Sequence, residues 1–150
     1  MTKKIVIAGT GFAGMWAAVS AARAVALAGR EQDVEITIVS PSANLTVRPR
    51  LYEAVLDNLN PDLAPLFEAV GVHLIAGLVQ TIDAGARRLE IEQVDGTRTS
   101  LPSDKFVLAR GSKLFQPPVP GLADHAFNVD QLEGARVLDA HLKSLASRPE

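Results

Sequence analysis

The feature that most constrains this chain is a glycine spacing placed directly behind an apolar run. Ile5-Val6-Ile7-Ala8 stops at Gly9-Thr10-Gly11-Phe12-Ala13-Gly14, a G-x-G-x-x-G pattern. A short, wholly apolar and β-branched run suits a strand buried on both faces, as in a parallel sheet. From Phe12 to Leu27 the residues are mostly small and apolar, and Gly29 supplies a stop, so this stretch predicts a helix. Val34 to Val39 reads as a second strand. Strand, glycine turn, helix and strand form a βαβ unit, whose crossover is right-handed.

Each glycine has a mechanical reason. Gly9 allows the tight turn out of the strand, Gly11 lets a pyrophosphate approach the backbone, and Gly14 lets the helix pack closely on the sheet. The N-terminus of the helix then offers free N–H groups and a partial positive charge to phosphates. The motif therefore points to a dinucleotide, and a turn needed only for packing is the other reading. Its usual companion is an acid at the end of the second strand, which bonds the ribose hydroxyls. That position is Ser40, followed by Pro41. A serine adds no charge, so this position alone does not separate FAD, NAD and NADP.

Composition removes other classes. With 150 residues, 47% hydrophobic and 21% charged, the chain can bury a core without staples. It has no cysteine, which excludes disulfides, thiolate zinc and iron–sulfur ligation within it. A net charge of −2 with no basic stripe argues against nucleic acid. No window offers the ~20 unbroken apolar residues of a membrane span, and a cytoplasmic protein is expected. His73, His125 and His141 are too widely spaced for a metal site, and no metal is expected. No serine stands in a nucleophile elbow, so no catalytic side chain is assigned. Trp16 is expected in the core, and Asp83 and Asp95 in turns.

Further along, Asn60-Pro61-Asp62 predicts a helix start, with the helix running to about Val70 and stopping at Gly71. Val72 to Ile75 predicts a third short strand, broken at Gly77. Arg88 to Gln93 and Thr97 to Leu101, joined by Asp95-Gly96, predict a hairpin with a type I′ turn. Lys105 to Ala109 predicts a buried strand closed by Gly111, and a last helix is expected over about Asp130 to Ala146. The fold class that follows is α/β: a Rossmann-like parallel sheet with an inserted antiparallel β-meander.

Four segments together resemble the N-terminal FAD-binding part of the pyridine nucleotide-disulfide oxidoreductase superfamily, and within it the type II NADH dehydrogenases. They are Lys4 to Gly14; Arg48-Pro49-Arg50-Leu51-Tyr52-Glu53; Gly77-Leu78-Val79 with Ile82-Asp83; and Phe106 to Ser112 with Val119-Pro120-Gly121. The last is similar to the family's apolar strand ending in Ala-Thr-Gly with a trailing Ile-Pro-Gly. The likeness spans nearly the whole chain.

The resemblance implies roles. Gly9, Gly11 and Gly14, with the N–H groups of Phe12 and Ala13, would hold the FAD pyrophosphate. Ser40 would face the adenosine ribose and the Val79 backbone the adenine edge. Arg48 and Pro49 would sit near the phosphates or the isoalloxazine, and Ala109 and Gly111 close beneath the cofactor. Two departures stand out: Ser40 replaces the family's acid, and Arg110 its threonine. Arg110 would either place a cation near the diphosphate or point to solvent.

The family passes hydride from NAD(P)H to FAD and on to an acceptor, here a quinone by resemblance only. The absence of cysteine argues against the disulfide-reductase and sulfide–quinone branches. Residues 1–150 are expected to be the FAD-binding domain in part. The NAD(P) domain would begin near Pro149-Glu150, and the later segment that completes the flavin site lies outside the sequence. The chain alone is then expected to be inactive. A noncatalytic Rossmann nucleotide-binding module is the alternative. Peripheral attachment to a membrane and a homodimer are both open for the longer protein.

Overall fold

A computed structural model describes residues 2–146; the expectation placed on Pro149-Glu150 lies outside them. Two units are distinguished. The first takes the residues up to Leu45 together with Asp62–Gly111, and the second takes Thr46–Pro61 with the residues from Ser112 onward.

The first unit is a six-stranded sheet in the order β5-β4-β3-β2-β1-β6. Its strands are β1 (Lys3–Ala8), β2 (Val34–Ser40), β3 (Val72–Asp83), β4 (Arg88–Gln93), β5 (Arg98–Pro102) and β6 (Lys105–Leu108). Helix α1 (Phe12–Leu27) joins β1 to β2, and the short α2 (Ala64–Ala69) precedes β3. β1 runs parallel to both β2 and β6, with Ile7 opposite Ile38 and Val107. β2 is in turn parallel to β3. This is the Rossmann-like sheet with its antiparallel meander.

Alternation along β1 and β2 sends apolar side chains to both faces of the sheet. Ile7, Ile36 and Ile38 face one side, where they form a core with Ala18 of α1, Phe67 of α2, Leu45, Leu63 and Val72. Val6, Ala8 and Val39 face the other side, where they pack with Val79, Leu89 and Ile91 of the meander. Strands covered on both faces are mostly apolar, and in β2 the polar Thr37 and Ser40 are buried as well. The start of the sheet is tied down by Asp104. Its carboxylate accepts from the Lys4 N–H at 2.9 Å and lies 3.3 Å from the Lys3 ammonium. The Lys4 amide first, and then the Lys3 ammonium, hold that carboxyl below the usual carboxylate range.

Several local expectations change. β3 does not break at Gly77: it continues and changes partner there. Val72 to Ala76 pair with β2, and Gly77 to Asp83 pair antiparallel with β4. A Cβ on Gly77 would lie 2.8 Å from the Glu92 carbonyl oxygen and 3.0 Å from the Gln93 Cα. The glycine marks a close approach of strands, not an end. α2 begins at Ala64 rather than beside Asn60, because the preceding backbone is already bonded elsewhere. Asp62 bridges to Asn44, Leu63 N–H donates to Ala43, and Asn60 Oδ1 accepts from the Thr46 hydroxyl.

The β4–β5 turn is not type I′, which requires a positive φ at two successive residues. Only Gly96 is left-handed there, at φ +85, and its N–H donates to Gln93 C=O while Gln93 N–H donates to Thr97 C=O. The loop is therefore a three-residue turn with a left-handed glycine bulge. Asp95 sits in its turn and accepts from the Thr97 N–H, whereas Asp83 is the last residue of β3, paired with Arg88, and its carboxylate accepts from the Ala86 N–H of the turn that follows. β6 stops one residue early, at Leu108, and is not the buried strand expected: it lies at the edge of the sheet with only Phe106 half-buried. Trp16 is 61% exposed and is not a core residue.

In the second unit, a 3-10 turn at Arg48–Arg50 and the helices α3 (Leu122–His125) and α4 (Leu132–Ala146) surround a small core of Leu51, Leu59 and Ala135. The 3-10 turn and α3 carry no periodicity that a sequence reading detects. α4 begins at Leu132, two residues after the expected Asp130.

Gly77→Val tests the strand handover. It is expected to lower stability by ~1–3 kcal/mol through overpacking against the β4 backbone, measured as a fall in the urea midpoint.

Candidate functional site

The site is built where β1 delivers the chain into α1. Gly9 adopts φ +104, a left-handed region that favours glycine, and its N–H donates to Val39 C=O at 2.8 Å. A Cβ there would collide with the Ala109 carbonyl oxygen. Gly14, one turn into the helix, faces the same crowding: its Cβ would strike the Gly9 carbonyl and lie 3.4 Å from the Ala109 Cβ. Gly9, Gly14 and Ala109 are thus packed backbone to backbone, and two of them tolerate no side chain.

Gly11 differs. It is the N-cap of α1, in an extended conformation at φ −63 and ψ 178, and a Cβ on it would meet nothing within 4 Å. No side chain caps the helix and no acid stands in its first turn. The first helical hydrogen bond runs from Met15 N–H to Gly11 C=O, so the N–H groups of Phe12, Ala13 and Gly14 have no partner within the helix. An open approach over Gly11 onto those N–H groups is what an anion such as a pyrophosphate needs.

The other residues expected to bind in the first unit gather around the carboxyl ends of the strands. Ser40 closes β2 and is buried, with its Oγ 2.9 Å from the Thr10 hydroxyl. Val79 has a buried side chain beside a register shift in β3, and its carbonyl accepts from Arg110 Nη1 at 3.4 Å. Arg110 is otherwise exposed. Gly111 is left-handed at φ +68 with open space around it. Thr10 carries no signal in the glycine spacing, which treats its position as variable. Its hydroxyl nevertheless reaches three oxygens at and after the end of β2, those of Ser40, Ser42 and Asn44.

Arg48 and Pro49 belong to the second unit. There the Arg48 guanidinium bonds the Asp130 carboxylate, the Asp130 carbonyl at 3.1 Å and the Ser112 carbonyl at 3.2 Å. Pro49 lies exposed in the 3-10 turn. Asp130 also accepts from Gln131 Nε2 and from the Leu114 N–H. Those hydrogen bonds, Gln131 first, hold its carboxyl below the ordinary range. The same unit has a cavity of about 620 Å³ lined by Leu114, Phe115, Leu122, Phe127 and Val129. Among the described residues no group of His, Asp or Glu is arranged to hold a metal, and no helix is long and apolar enough to cross a membrane.

A sequence model described as pyridine nucleotide-disulphide oxidoreductase matches residues 3–147. An NADH dehydrogenase-like protein of Mycobacterium tuberculosis is 38% identical over 147 residues, covering 97% of this chain and 36% of that protein. A demethylphylloquinone reductase of Synechocystis is 29% identical over 147 residues, covering 95% of this chain and 36% of that protein. The chain thus spans little more than a third of the length of these relatives. Among solved structures, NDH2 from Plasmodium falciparum in complex with NADH superposes with a TM-score of 0.78 at 14% identity, covering 99% of this chain and 31% of that one. That likeness shows a shared fold.

The glycines are expected to separate by role. Gly14→Ala should destabilise the first unit by ~1–3 kcal/mol, because the helix must lift off the turn. Gly11→Ala should cost about 1 kcal/mol or less, because alanine is the poorer N-cap and nothing crowds its Cβ. Thermal melts of the two variants check this, and equal losses would show that Gly11 is also packed.

Proposed function

This chain belongs to the pyridine nucleotide-disulphide oxidoreductase family, and on that premise we propose that it is the FAD-binding portion of an NAD(P)H-dependent flavoprotein oxidoreductase. The observation that carries the reading is the open approach over Gly11 onto the uncapped N-terminus of α1. An extended diphosphate fits there with its oxygens on the N–H groups of Phe12 and Ala13, while Gly9 and Gly14 keep the helix end aimed at it. The carboxyl end of β2 at Ser40 then flanks the adenosine ribose, and the Val79 backbone meets the adenine edge. Ala109 and Gly111 pass beneath the dinucleotide, where small residues leave room. Arg110 stands at the same end of the sheet and adds a positive charge for the diphosphate.

Bound FAD supplies the hydride chemistry, accepting from NAD(P)H and passing electrons on to an acceptor. The chain's own residues bind and orient it; no side chain among them is given a catalytic proton. NAD(P)H is proposed to bind through a second dinucleotide domain outside residues 1–150. A quinone is the proposed acceptor, supported by the demethylphylloquinone reductase among the relatives. A cytoplasmic location, with peripheral membrane attachment as the means of reaching a quinone, belongs to the same proposal.

The test uses Gly11→Val and two chain lengths. Gly11→Val is expected to weaken dinucleotide binding by tenfold or more, about 1.4 kcal/mol or above, with an unchanged circular dichroism spectrum. The 150-residue chain should bind the ADP half, purify with little flavin, and leave NADH unoxidised. Extension through a second dinucleotide domain should bring a yellow colour and NADH consumption with a quinone. Failure of either length to bind FAD or ADP would overturn the reading, and steady turnover by 150 residues alone would overturn the division of the site.

A further inference from the structure

We infer that Thr10 is a positioning residue for the adenosine half of the dinucleotide, holding the segment after β2 against the glycine turn. The inference rests on the dinucleotide reading above and adds to it a residue that the glycine spacing leaves unassigned. Thr10 and Ser40 are 5% and 6% exposed, so neither hydroxyl reaches a ligand without leaving its protein partner. Thr10 Oγ1 lies 3.2 Å from the Ser42 carbonyl and 3.1 Å from the Asn44 carbonyl, both of which only accept. Its single hydrogen is therefore shared between those carbonyls, and the 2.9 Å contact with Ser40 has Ser40 as donor.

Two consequences follow from that hydrogen count. The Ser40 hydroxyl hydrogen is committed to Thr10, so Ser40 does not donate to a ribose as its position at the end of β2 suggests. The segment 41–44 is instead fastened at two of its carbonyls to a residue lying between two glycines of the phosphate-facing turn. Leu45 anchors the far end of the segment in the core beneath α1, and Ser40 the near end in β2. Thr10 thus fixes the distance between the turn that receives the diphosphate and the backbone that borders the adenosine. A hydroxyl-bearing β-branched residue suits such a position, because its methyl fills buried space while its branching restricts the hydroxyl to few rotamers.

The experiment is calorimetric titration of the 150-residue chain with inorganic pyrophosphate and with ADP. Thr10→Val is expected to leave pyrophosphate affinity within about threefold of the original while weakening ADP about tenfold, the worth of one or two lost hydrogen bonds. Thr10→Ser restores the hydroxyl and should return ADP affinity to within about threefold. Thr10→Ala serves as a second hydroxyl deletion should the valine fail to fold.

Unchanged ADP affinity in the deletion variants would overturn the inference and leave the dinucleotide reading standing. Parallel loss of both probes would also overturn it, by showing that the hydroxyl only keeps the turn folded. If the original chain binds neither probe, the dinucleotide reading fails and the inference falls with it.

Discussion

The structure of the first unit depends on one close approach, that of α1 to the end of β1. Gly14 sits on the Gly9 carbonyl, and Ala109 lies against both. No residue with a Cβ can make this contact at Gly14. The approach fixes where the helix starts, which way its N–H groups point, and how near the end of β6 comes to the turn. Parallel strands bring their carboxyl ends to one edge, and the helix N-terminus is delivered to that same edge by the connection itself. The electrostatic character of the site follows from backbone geometry. The open space at Gly11 faces the partial positive charge of an uncapped helix, with no charged side chain required.

A second constraint is the cover on the sheet. β1 and β2 carry buried apolar residues on both faces, and each face needs a partner. Helices α1 and α2 cover one. The other is covered because β3 runs well beyond the short strand expected and passes from a parallel partner to an antiparallel one at Gly77. Val79, Leu89 and Ile91 are thereby carried onto Val6, Ala8 and Val39. The same passage leaves the Val79 carbonyl at the carboxyl edge, within reach of Arg110. Packing and site geometry thus come from a single departure in strand pairing.

The second unit shows how a charged residue next to a suggestive motif is absorbed by its own neighbourhood. Arg48 presents a planar fork of donors, and Asp130 and Ser112 supply the acceptors. The guanidinium organises the segment from Ser112 to Gln131 around it. A sequence shows that an arginine follows the second strand; which acceptors it meets depends on residues far along the chain.

Local pattern determined the strand–turn–helix, the bounds of α1 from Phe12 to Leu27, and the hairpin strands, because these rest on interactions between near neighbours in sequence. Gly9 and Gly14 could be read as obligatory because the turn they build is local, although the Ala109 backbone that crowds Gly9 comes from far along the chain. The departures fall where a distant partner decides the outcome. Asn60 is drawn away from capping α2 by Thr46, and Gly77 permits rather than stops a strand because Glu92 and Gln93 lie beside it. Aspartate and glycine at 95 and 96 satisfy either of two turns, and the pairing of Gln93 with Thr97 selects the one with a single left-handed residue. Trp16 has the composition of a core residue, and its place on the helix surface leaves it exposed. Thr10 is the clearest case: a variable position by spacing, and a fixed one once folding brings the oxygens of Ser40, Ser42 and Asn44 to its hydroxyl. Hydrogen bonds between segments so far apart in the chain leave no periodicity in it, so only the tertiary structure decides them.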